Sequence, residues 1–415
     1  GASNTFVGAL AGDAVQTVSF LTAVGEKALS ANTTGAKNTA IGRATLQATT
    51  TQSNNTAVGY NSLSGGSNTA AGNTAVGAET LEANTTGANN VAVGLTALQA
   101  NTTASNNTAV GKSALVANTT GANNTALGYT ALATNSNNVG IGVNALYTNT
   151  TGTSNVAVGK SALATNGTAS NNTAVGYAAL TSNTTASNNT AMGFESLVSN
   201  TTGTANVAIG QGAMVANTTG ANNTAVGRTA LFANTTAGKN TAIGHGSLSS
   251  NTTGDLNTAL GYNALATNTV GDRSVAIGYQ ALVAQAPSSN TDVYNTAVGF
   301  NAGVAVTTGI LNTFIGGLNA SANTTGDGNV AVGYSALRLN TASNANVAVG
   351  NDALYSFNVT SDTSTYNTAV GNSAGLLLTT GVQNTLIGGL AGDALTTPSY
   401  NTAVGYSALS SDTLG

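Results

Sequence analysis

The apolar and polar residues of this chain follow one short pattern that recurs with a 17-residue period along most of its length. Each copy opens with a segment typified by NTAVG, in which Ala and Val stand at the third and fourth positions. A second apolar pair, usually Ala-Leu, stands at positions 8 and 9, and a polar stretch typified by NTTGxN ends the copy. Short alternating segments are typical of β-strands, and Asn, Thr and Gly are typical of turns. The pattern therefore predicts two short strands per copy, joined by polar corners.

The Gly that ends each NTAVG-like segment measures the period. Twenty-four such glycines occur from Gly8 to Gly405, and nineteen of the 23 intervals between them share one length, that of the 17-residue step from Gly94 to Gly111. The other four are an 18-residue, a 14-residue and two 21-residue intervals, which end at Gly77, Gly142, Gly299 and Gly371. The 14- and 21-residue copies change length only in the NTTG corner, so both predicted strands are kept. The 18-residue copy holds a second near-copy of the motif and is left without an explanation.

Seventeen residues are too few for a pair of helices but suit one coil of a β-solenoid. We therefore predict an all-β fold: a parallel β-solenoid, or β-roll, of about 24 coils with a 17-residue repeat. Coils would stack about 4.8 Å apart, so that identical residues form ladders. Residues 1–415 are predicted to be a single continuous repeat solenoid. Since Gly1 and Gly415 fall at the same corner position and no capping coil is visible, we expect a segment of a longer fibre.

Alternation also predicts which side chains face inward. Positions 3 and 4 lie on opposite sides of the first strand. Because Val, Ile and Leu are larger than Ala, we expect position 4 and the Leu at position 9 to fill the interior. Ala columns would then line the outside. Such a flat face of Ala and Thr favours packing against identical chains, and a parallel homotrimer is the predicted assembly, with a lone solenoid as the alternative.

Composition excludes several classes of function. Only 22 of the 415 residues are charged (9 Lys+Arg and 13 Asp+Glu), and no basic cluster marks a nucleic-acid site. Cys is absent and His245 is the one histidine. The chain therefore lacks the residues that a thiolate site or a zinc site requires, and a Ser-His-Asp triad could use only this one histidine. No apolar run approaches the roughly 18–20 residues of a membrane span. The VGKS segments at Lys112 and Lys160 lack the first Gly of a phosphate-binding loop. We predict no enzyme activity and no cofactor.

Position 6 of the repeat carries the strongest candidate for a surface-binding site. Its aromatic and basic side chains would align into one stripe along the coils, which could bind glycans or a neighbouring fibre. The alternative is that the rings only stack on one another and cover the strand below. The candidate tyrosines are Tyr60, Tyr129, Tyr177, Tyr262, Tyr279, Tyr334 and Tyr406; Phe194, Phe300, Arg43, Lys112, Lys160, Arg228 and His245 occupy the same position.

Three further features have competing interpretations. The N-x-S/T sequons, for example at Asn32, Asn84, Asn118, Asn217 and Asn323, are candidate glycosylation sites or simply corner residues. Asp255, Asp272 and Asp327 flank corner glycines and are candidates for Ca²⁺ ligands, although a turn role is favoured. The Thr-rich faces are also considered for ice binding, but a regular T-x-T lattice is lacking.

Particular copies resemble a known family. RSVAIG (273–278) is similar to the S-V-A-I-G core of the YadA-like head repeats of trimeric autotransporter adhesins, whose 14-residue unit is matched at Gly128–Gly142. The fuller NTAVGYNALATNTTG pattern also resembles the repeat shafts of bacteriophage tail fibres. The resemblance covers nearly the whole chain, although most copies here have the longer 17-residue unit. It implies a left-handed parallel β-roll, three chains wound into a fibre, and binding to surfaces.

These inferences together predict a structural and adhesive extracellular fibre shaft of the tail-fibre or surface-adhesin type. Its expected partners are identical chains in a homotrimer, a continuation end to end, and a cell-surface glycan or receptor. The alternative is a subunit of a self-polymerising extracellular filament that carries glycans. An ice- or glycan-binding rod is the least favoured function.

Overall fold

The computed structural model describes residues 3–66 and 69–413. The corner glycines Gly1 and Gly415, and two residues of the unexplained 18-residue copy, Ser67 and Asn68, lie outside the described residues. The chain divides into two units, Gly1–Thr202 and Gly203–Gly415. Each unit is described by itself.

Unit 1 is a stack of coils that each contribute one short strand to a parallel sheet. Neighbouring strands pair with identical repeat positions opposite each other, for example Thr108 with Thr125 and Ala109 with Ala126. The strands are β1 (Thr5–Val7), β2 (Thr22–Val24), β3 (Thr39–Ile41), β4 (Thr56–Val58), β5 (Thr74–Val76), β6 (Val91–Val93), β7 (Thr108–Val110), β8 (Thr125–Leu127), β9 (Val139–Ile141), β10 (Val156–Val158), β11 (Thr173–Val175) and β12 (Thr190–Met192).

Unit 2 has the same construction, with a small second sheet at one corner. Its strands are β13 (Val207–Ile209), β14 (Thr224–Val226), β15 (Thr241–Ile243), β16 (Thr258–Leu260), β17 (Gly271–Asp272), β18 (Val275–Ile277), β19 (Thr291–Asp292), β20 (Thr296–Val298), β21 (Thr313–Ile315), β22 (Val330–Val332), β23 (Val347–Val349), β24 (Thr368–Val370), β25 (Thr385–Ile387) and β26 (Thr402–Val404). Strands β17 and β19 pair only with each other, and they join the corner of one coil to the corner of the first 21-residue copy, which follows it.

Each unit therefore confirms the all-β, parallel solenoid with a 17-residue repeat. The irregular copies keep their strands in register, as expected. Thr125 pairs with Val139 across the 14-residue copy, and Val275 pairs with Thr296 across a 21-residue copy. Thr56 pairs with Thr74 across the 18-residue copy. Changes in length are absorbed at the corners while the sheet continues.

The described residues contain no helix, and hence none that is long and apolar enough to cross a membrane.

The second strand predicted around Ala-Leu is wrong, because this part of each coil is a pair of tight turns. In a representative coil Ser113 and Leu115, at positions 7 and 9, have φ values of 58° and 51°. Ala114 N–H donates to Gly111 O at 3.3 Å, and Asn118 N–H donates to Leu115 O at 3.1 Å. Left-handed backbone is costly for a residue such as Leu. It is retained because Leu115 N–H then reaches Ala131 O of the next coil at 3.1 Å.

The predicted facing of the strand is also wrong. Ala at position 3 points inward and is fully buried, as at Ala109 and Ala225, whereas position 4 is exposed or half-buried. Leu at position 9 is buried as predicted, but Ala at position 8 is buried with it, as Leu115 and Ala114 show. Leu from the turn fills the thin interior, which leaves room only for Ala on the strand.

Position 5 requires Gly for two reasons: the backbone conformation there and the close approach of the next coil. Gly111 has φ 135°, a conformation that side chains disfavour. A Cβ on Gly111 would lie 2.4 Å from Gly128 O of the next coil. Any other residue at this position would push two coils apart.

Two ladders of buried asparagines join the coils. At position 1, Asn107 Nδ2 donates to Gly121 O at 3.0 Å, and its Oδ1 accepts the Asn124 N–H of the next coil at 2.9 Å. At position 12, Asn118 Nδ2 donates to the same Gly121 O at 2.8 Å and to Asn101 Oδ1 of the preceding coil at 3.3 Å. Both asparagines are 0% exposed. Because buried amides need partners, each coil depends on its neighbours.

A few coils exchange volume between the strand and the turn. Phe314 replaces Ala at position 3, and Gly303 replaces Leu at position 9 of the preceding coil. A Cβ on Gly303 would lie 2.7 Å from Phe314 Cδ2. Leu386 and Gly375 repeat this exchange, with a distance of 2.9 Å from the Gly375 Cβ to Leu386 Cδ1. The interior volume is thus conserved although the residues differ.

We predict strong coupling between Gly303 and Phe314. Phe314→Ala alone opens a cavity and is expected to cost about 3–5 kcal/mol. Gly303→Leu alone overpacks the interior and is expected to cost about 1–3 kcal/mol. The double variant restores the usual Ala and Leu, so the two effects should offset each other by at least about 1 kcal/mol. Urea-unfolding midpoints of the four proteins measure this coupling.

Additive losses in the double variant would contradict the volume exchange. Gly328→Ala is a suitable control substitution, because Gly328 shares a positive φ of 61° but a Cβ there would meet no atom within 4 Å.

Candidate functional site

The position-6 side chains form a half-exposed column beside the sheet of each unit. Each position-6 residue begins the first turn and follows the Gly that comes directly after a strand, so the column has the same spacing as the strands. In unit 1 the column brings together Tyr177 and Phe194, whose ring centroids lie 5.2 Å apart with an interplanar angle of 12°. The sequence thus correctly placed these residues in one stripe.

Unit 2 contains the longest aromatic stack of the described residues. His245, Tyr262, Tyr279 and Phe300 stack in that order, with successive centroids 5.3, 5.2 and 5.3 Å apart. Interplanar angles of 8–12° make the rings nearly parallel. Stacking of this kind contributes roughly 0.5–1.5 kcal/mol per pair beyond the burial of area.

This geometry determines what the stack offers to a ligand. The faces of Tyr262 and Tyr279 are occupied by neighbouring rings, so only ring edges and hydroxyl groups remain exposed. A sugar that binds by stacking needs a free ring face. The inner rings of the column therefore act as ladder contacts, which favours the structural interpretation of this stack over glycan binding.

Basic side chains continue the column in unit 1. The Arg43 guanidinium lies 5.6 Å from the Tyr60 ring centroid, and Lys160 Nζ lies 5.8 Å from that of Tyr177. Arg43 Nε also donates to Glu26 Oε2 at 3.1 Å in an exposed ion pair. The hydrogen bond to Glu26, followed by its charge, raises the pKa of Arg43. Arg43 is thus held between a carboxylate and a ring.

The remaining candidate tyrosines have no aromatic neighbour in the described part of the column. Tyr129 lies between Lys112 and Val143 in the repeat order. Tyr334 and Tyr406 each follow a coil with Gly at position 6, and a Cβ on Gly317 or Gly389 would contact their rings at 3.5 Å. These three tyrosines are therefore separate from the stacks.

The five named sequon asparagines lie at position 12, inside the coil. All are 0% exposed: Asn32, Asn84, Asn118, Asn217 and Asn323. The Nδ2 of each donates to the carbonyl of the corner Gly three residues later, as Asn84 does to Gly87 O at 3.0 Å. A glycan would be attached to this same nitrogen, which is buried in the coil. Glycosylation stays an untested prediction for these residues, and the fold favours their corner role.

The candidate aspartates act within the corners. Asp272 Oδ1 accepts the Asp255 N–H of the preceding coil at 2.7 Å, and Asp327 Oδ1 accepts the Ile310 N–H at 2.7 Å. Ser53 plays the same part, since its Oγ accepts the Ala36 N–H at 3.0 Å. Among the residues described, no group of three or more His, Asp or Glu side chains is arranged to hold a metal ion.

Carboxylates of adjacent coils also change one another's pKa, as at Asp272. Partial burial, followed by the charges of Asp255 and Asp292, raises the pKa of Asp272, although the Asp255 N–H and Arg273 act in the opposite sense. Asp292 forms an ion pair with Arg273. Partial burial also raises the pKa of Asp327. The carboxyl groups of Asp272 and Asp327 therefore bind a proton more tightly in the folded protein than in the unfolded chain.

A second surface was not anticipated by the sequence analysis. Side chains at positions 2 and 4 of each strand form what we call the outer face. Its position-2 column consists of Thr and Val, and its position-4 column of Val, Ile, Leu and Met. Ile243, Leu260 and Ile315 are among its exposed apolar residues. The missed signal was the nearly constant Ala at position 3, which marks a tightly packed interior.

We predict that Asp272→Ser stabilises the protein at pH 7 by no more than about 0.5 kcal/mol, as is usual at surfaces. Ser still accepts the Asp255 N–H but carries no charge. Because the folded pKa of Asp272 is raised, its unfavourable contribution appears as the pH rises above the ordinary pKa of 3.8 and is complete above the folded pKa. Melting temperatures from pH 3 to 8 should therefore show a gain in the variant that disappears at acid pH. A gain of equal size at pH 3 would contradict this explanation.

Comparison with known proteins found no family model that matches the chain, and no curated protein that matches it.

Proposed function

We propose that this protein is a structural and adhesive extracellular fibre shaft, of the kind found in tail fibres or surface adhesins. The observation that carries the proposal is the ladder of hydrogen bonds that joins successive coils of each unit. Backbone bonds, two asparagine ladders and stacked rings all run from one coil to the next. Such a structure resists bending and proteolysis because opening one coil leaves buried polar groups of its neighbours without partners. The resemblance to fibre repeats supports the same role.

The sheet of each unit offers a surface for association with identical chains. The outer face carries no charged side chain in the named strands of either main sheet. Twelve strands about 4.8 Å apart and three residues wide give a strip of roughly 50 by 10 Å per unit. An exposed apolar patch of several hundred Å² is typical of an interaction site. We propose that three parallel chains pack through this face, in place of the Ala face expected from the sequence, with the left-handed coil that the resemblance implies.

Leu260 and Leu256 form a matched pair for testing this assembly. Both are 43% exposed, but Leu260 is at position 4 on the outer face and Leu256 is at a corner. Leu260→Lys would place a charge in the interface and is expected to convert the trimer to a monomer. Leu256→Lys should leave the trimer intact, since Lys37 and Lys239 occupy the same repeat position. Sedimentation velocity at micromolar concentration measures the outcome.

A monomeric parent protein, or a trimer that persists in Leu260→Lys, would contradict assembly through the outer face. Circular dichroism of both variants checks that the coil remains folded.

A further inference from the structure

The shortest coil of unit 1 leaves a notch on the turn side. This 14-residue coil spans residues 124–137 and lacks three corner residues of the full-length coils on either side. A cavity of about 440 Å³ opens there, and its lining includes Ser113, Val116, Ala117, Thr130, Ala133 and Tyr147. This volume lies within the range of about 300–1,000 Å³ that is usual for small-molecule sites.

Tyr147 differs from the tyrosines of the position-6 column. It stands at position 10, where the coils before and after it carry Ala133 and Ala164. Its side chain is 51% exposed, and it makes no ring contact with another aromatic residue of the described chain. Its ring faces are therefore not occupied by stacking, and the notch borders this ring.

The short coil also leaves hydrogen-bonding groups without their usual partners. In the preceding coil Ala100 N–H donates to Val116 O at 3.1 Å, but the equivalent Ala117 N–H has no acceptor among the residues described. The next residue, Asn118, is buried, and its Oδ1 has no donor in the described structure. In the preceding coil the equivalent atom has a donor, because Asn101 Oδ1 accepts from Asn118 Nδ2 at 3.3 Å. The missing corner residues thus interrupt a ladder, next to a backbone N–H that is free to donate.

Hydroxyl groups complete the lining of the notch. Thr130 can donate its proton to Tyr129 O at 2.8 Å or to Asn144 Oδ1, so its oxygen can still accept a hydrogen bond. Ser113 shares a hydrogen bond with Thr96 at 3.0 Å. The lining contains no charged side chain. A ligand that fits must combine an apolar ring face with several neutral hydroxyl groups.

We infer that the notch binds one neutral pyranose ring of a glycan. The apolar C–H face of the sugar would lie on the Tyr147 ring, and its hydroxyl groups would reach Ala117 N–H, Ser113 and Thr130. Neutrality of the lining disfavours acidic sugars, because a buried carboxylate would have no cationic partner. This proposal rests on the adhesive part of the proposed function and supplies a ligand class for it.

Saturation-transfer NMR with methyl β-D-glucopyranoside and methyl β-D-galactopyranoside tests the site on the full chain. We expect saturable binding of at least one, with a Kd on the order of 1 mM because a single ring is buried. Tyr147→Ala should weaken binding by about tenfold or more, a loss of about 1.4 kcal/mol. Ala133→Val, which places at position 10 the residue found at Val116, should fill the notch and have the same effect.

Phe232→Ala is the matched control, because Phe232 is an exposed aromatic residue at position 10 between full-length coils. It should leave the Kd unchanged within about twofold. Three results would overturn the proposal: no saturable binding of either glycoside, binding that survives both notch variants, or equally tight binding of cyclohexanol. Sedimentation of the same samples reports the assembly separately, so a failed sugar site and a failed shaft are distinguishable.

Discussion

The structure depends on one constraint: buried polar groups of each coil are satisfied by the coils next to it. Asn107 closes its own coil through Gly121 O and accepts the backbone N–H of Asn124 from the following one. A coil this thin has little apolar interior, so these bonds must supply much of its specificity. The repetition of the sequence follows directly, because a ladder continues only where the next coil carries a compatible residue. Where one does not, as after Asn118, an oxygen is left without a donor.

The sequence alone was sufficient to predict the coil, but it did not predict which side chains fill the interior of the coil. The 17-residue period, the parallel register and the corners that absorb insertions follow from spacing alone. Alternation, however, distinguishes two faces of a strand without saying which is buried. Residue size pointed the wrong way at Ala109 and Val110, because Leu115 reaches the interior from a turn. That turn was missed as well, since left-handed backbone at Leu is unfavourable locally and is stabilised only by bonds between coils.

The candidate site shows the same limit. Equal spacing predicted that the position-6 side chains align, and the stacks of unit 2 confirm it. Whether a ring face is free to bind a ligand depends on the neighbouring side chains. Both faces of Tyr262 are covered by adjacent rings, whereas Tyr147 has no stacked aromatic neighbour in the described part of the chain. The same reasoning applies to the sequons. Asn84 lies in a glycosylation sequon, but its Nδ2 is buried and donates a hydrogen bond to Gly87 O. The outer face and the notch depend on burial and on missing residues, which a repeat consensus conceals.

Amide hydrogen exchange at Asn124 tests the central role of the asparagine ladder most directly. Its N–H donates to the Asn107 side chain at 2.9 Å, so Asn107→Ala removes the acceptor while the strands remain. The adjacent exposed residue provides the control, Asn106→Ala. Loss of a buried hydrogen-bond partner costs about 1–3 kcal/mol, so exchange at Asn124 should accelerate roughly 5- to 150-fold in Asn107→Ala and change little in Asn106→Ala. Equal exchange rates in the two variants would show that the ladder does not hold the coils together.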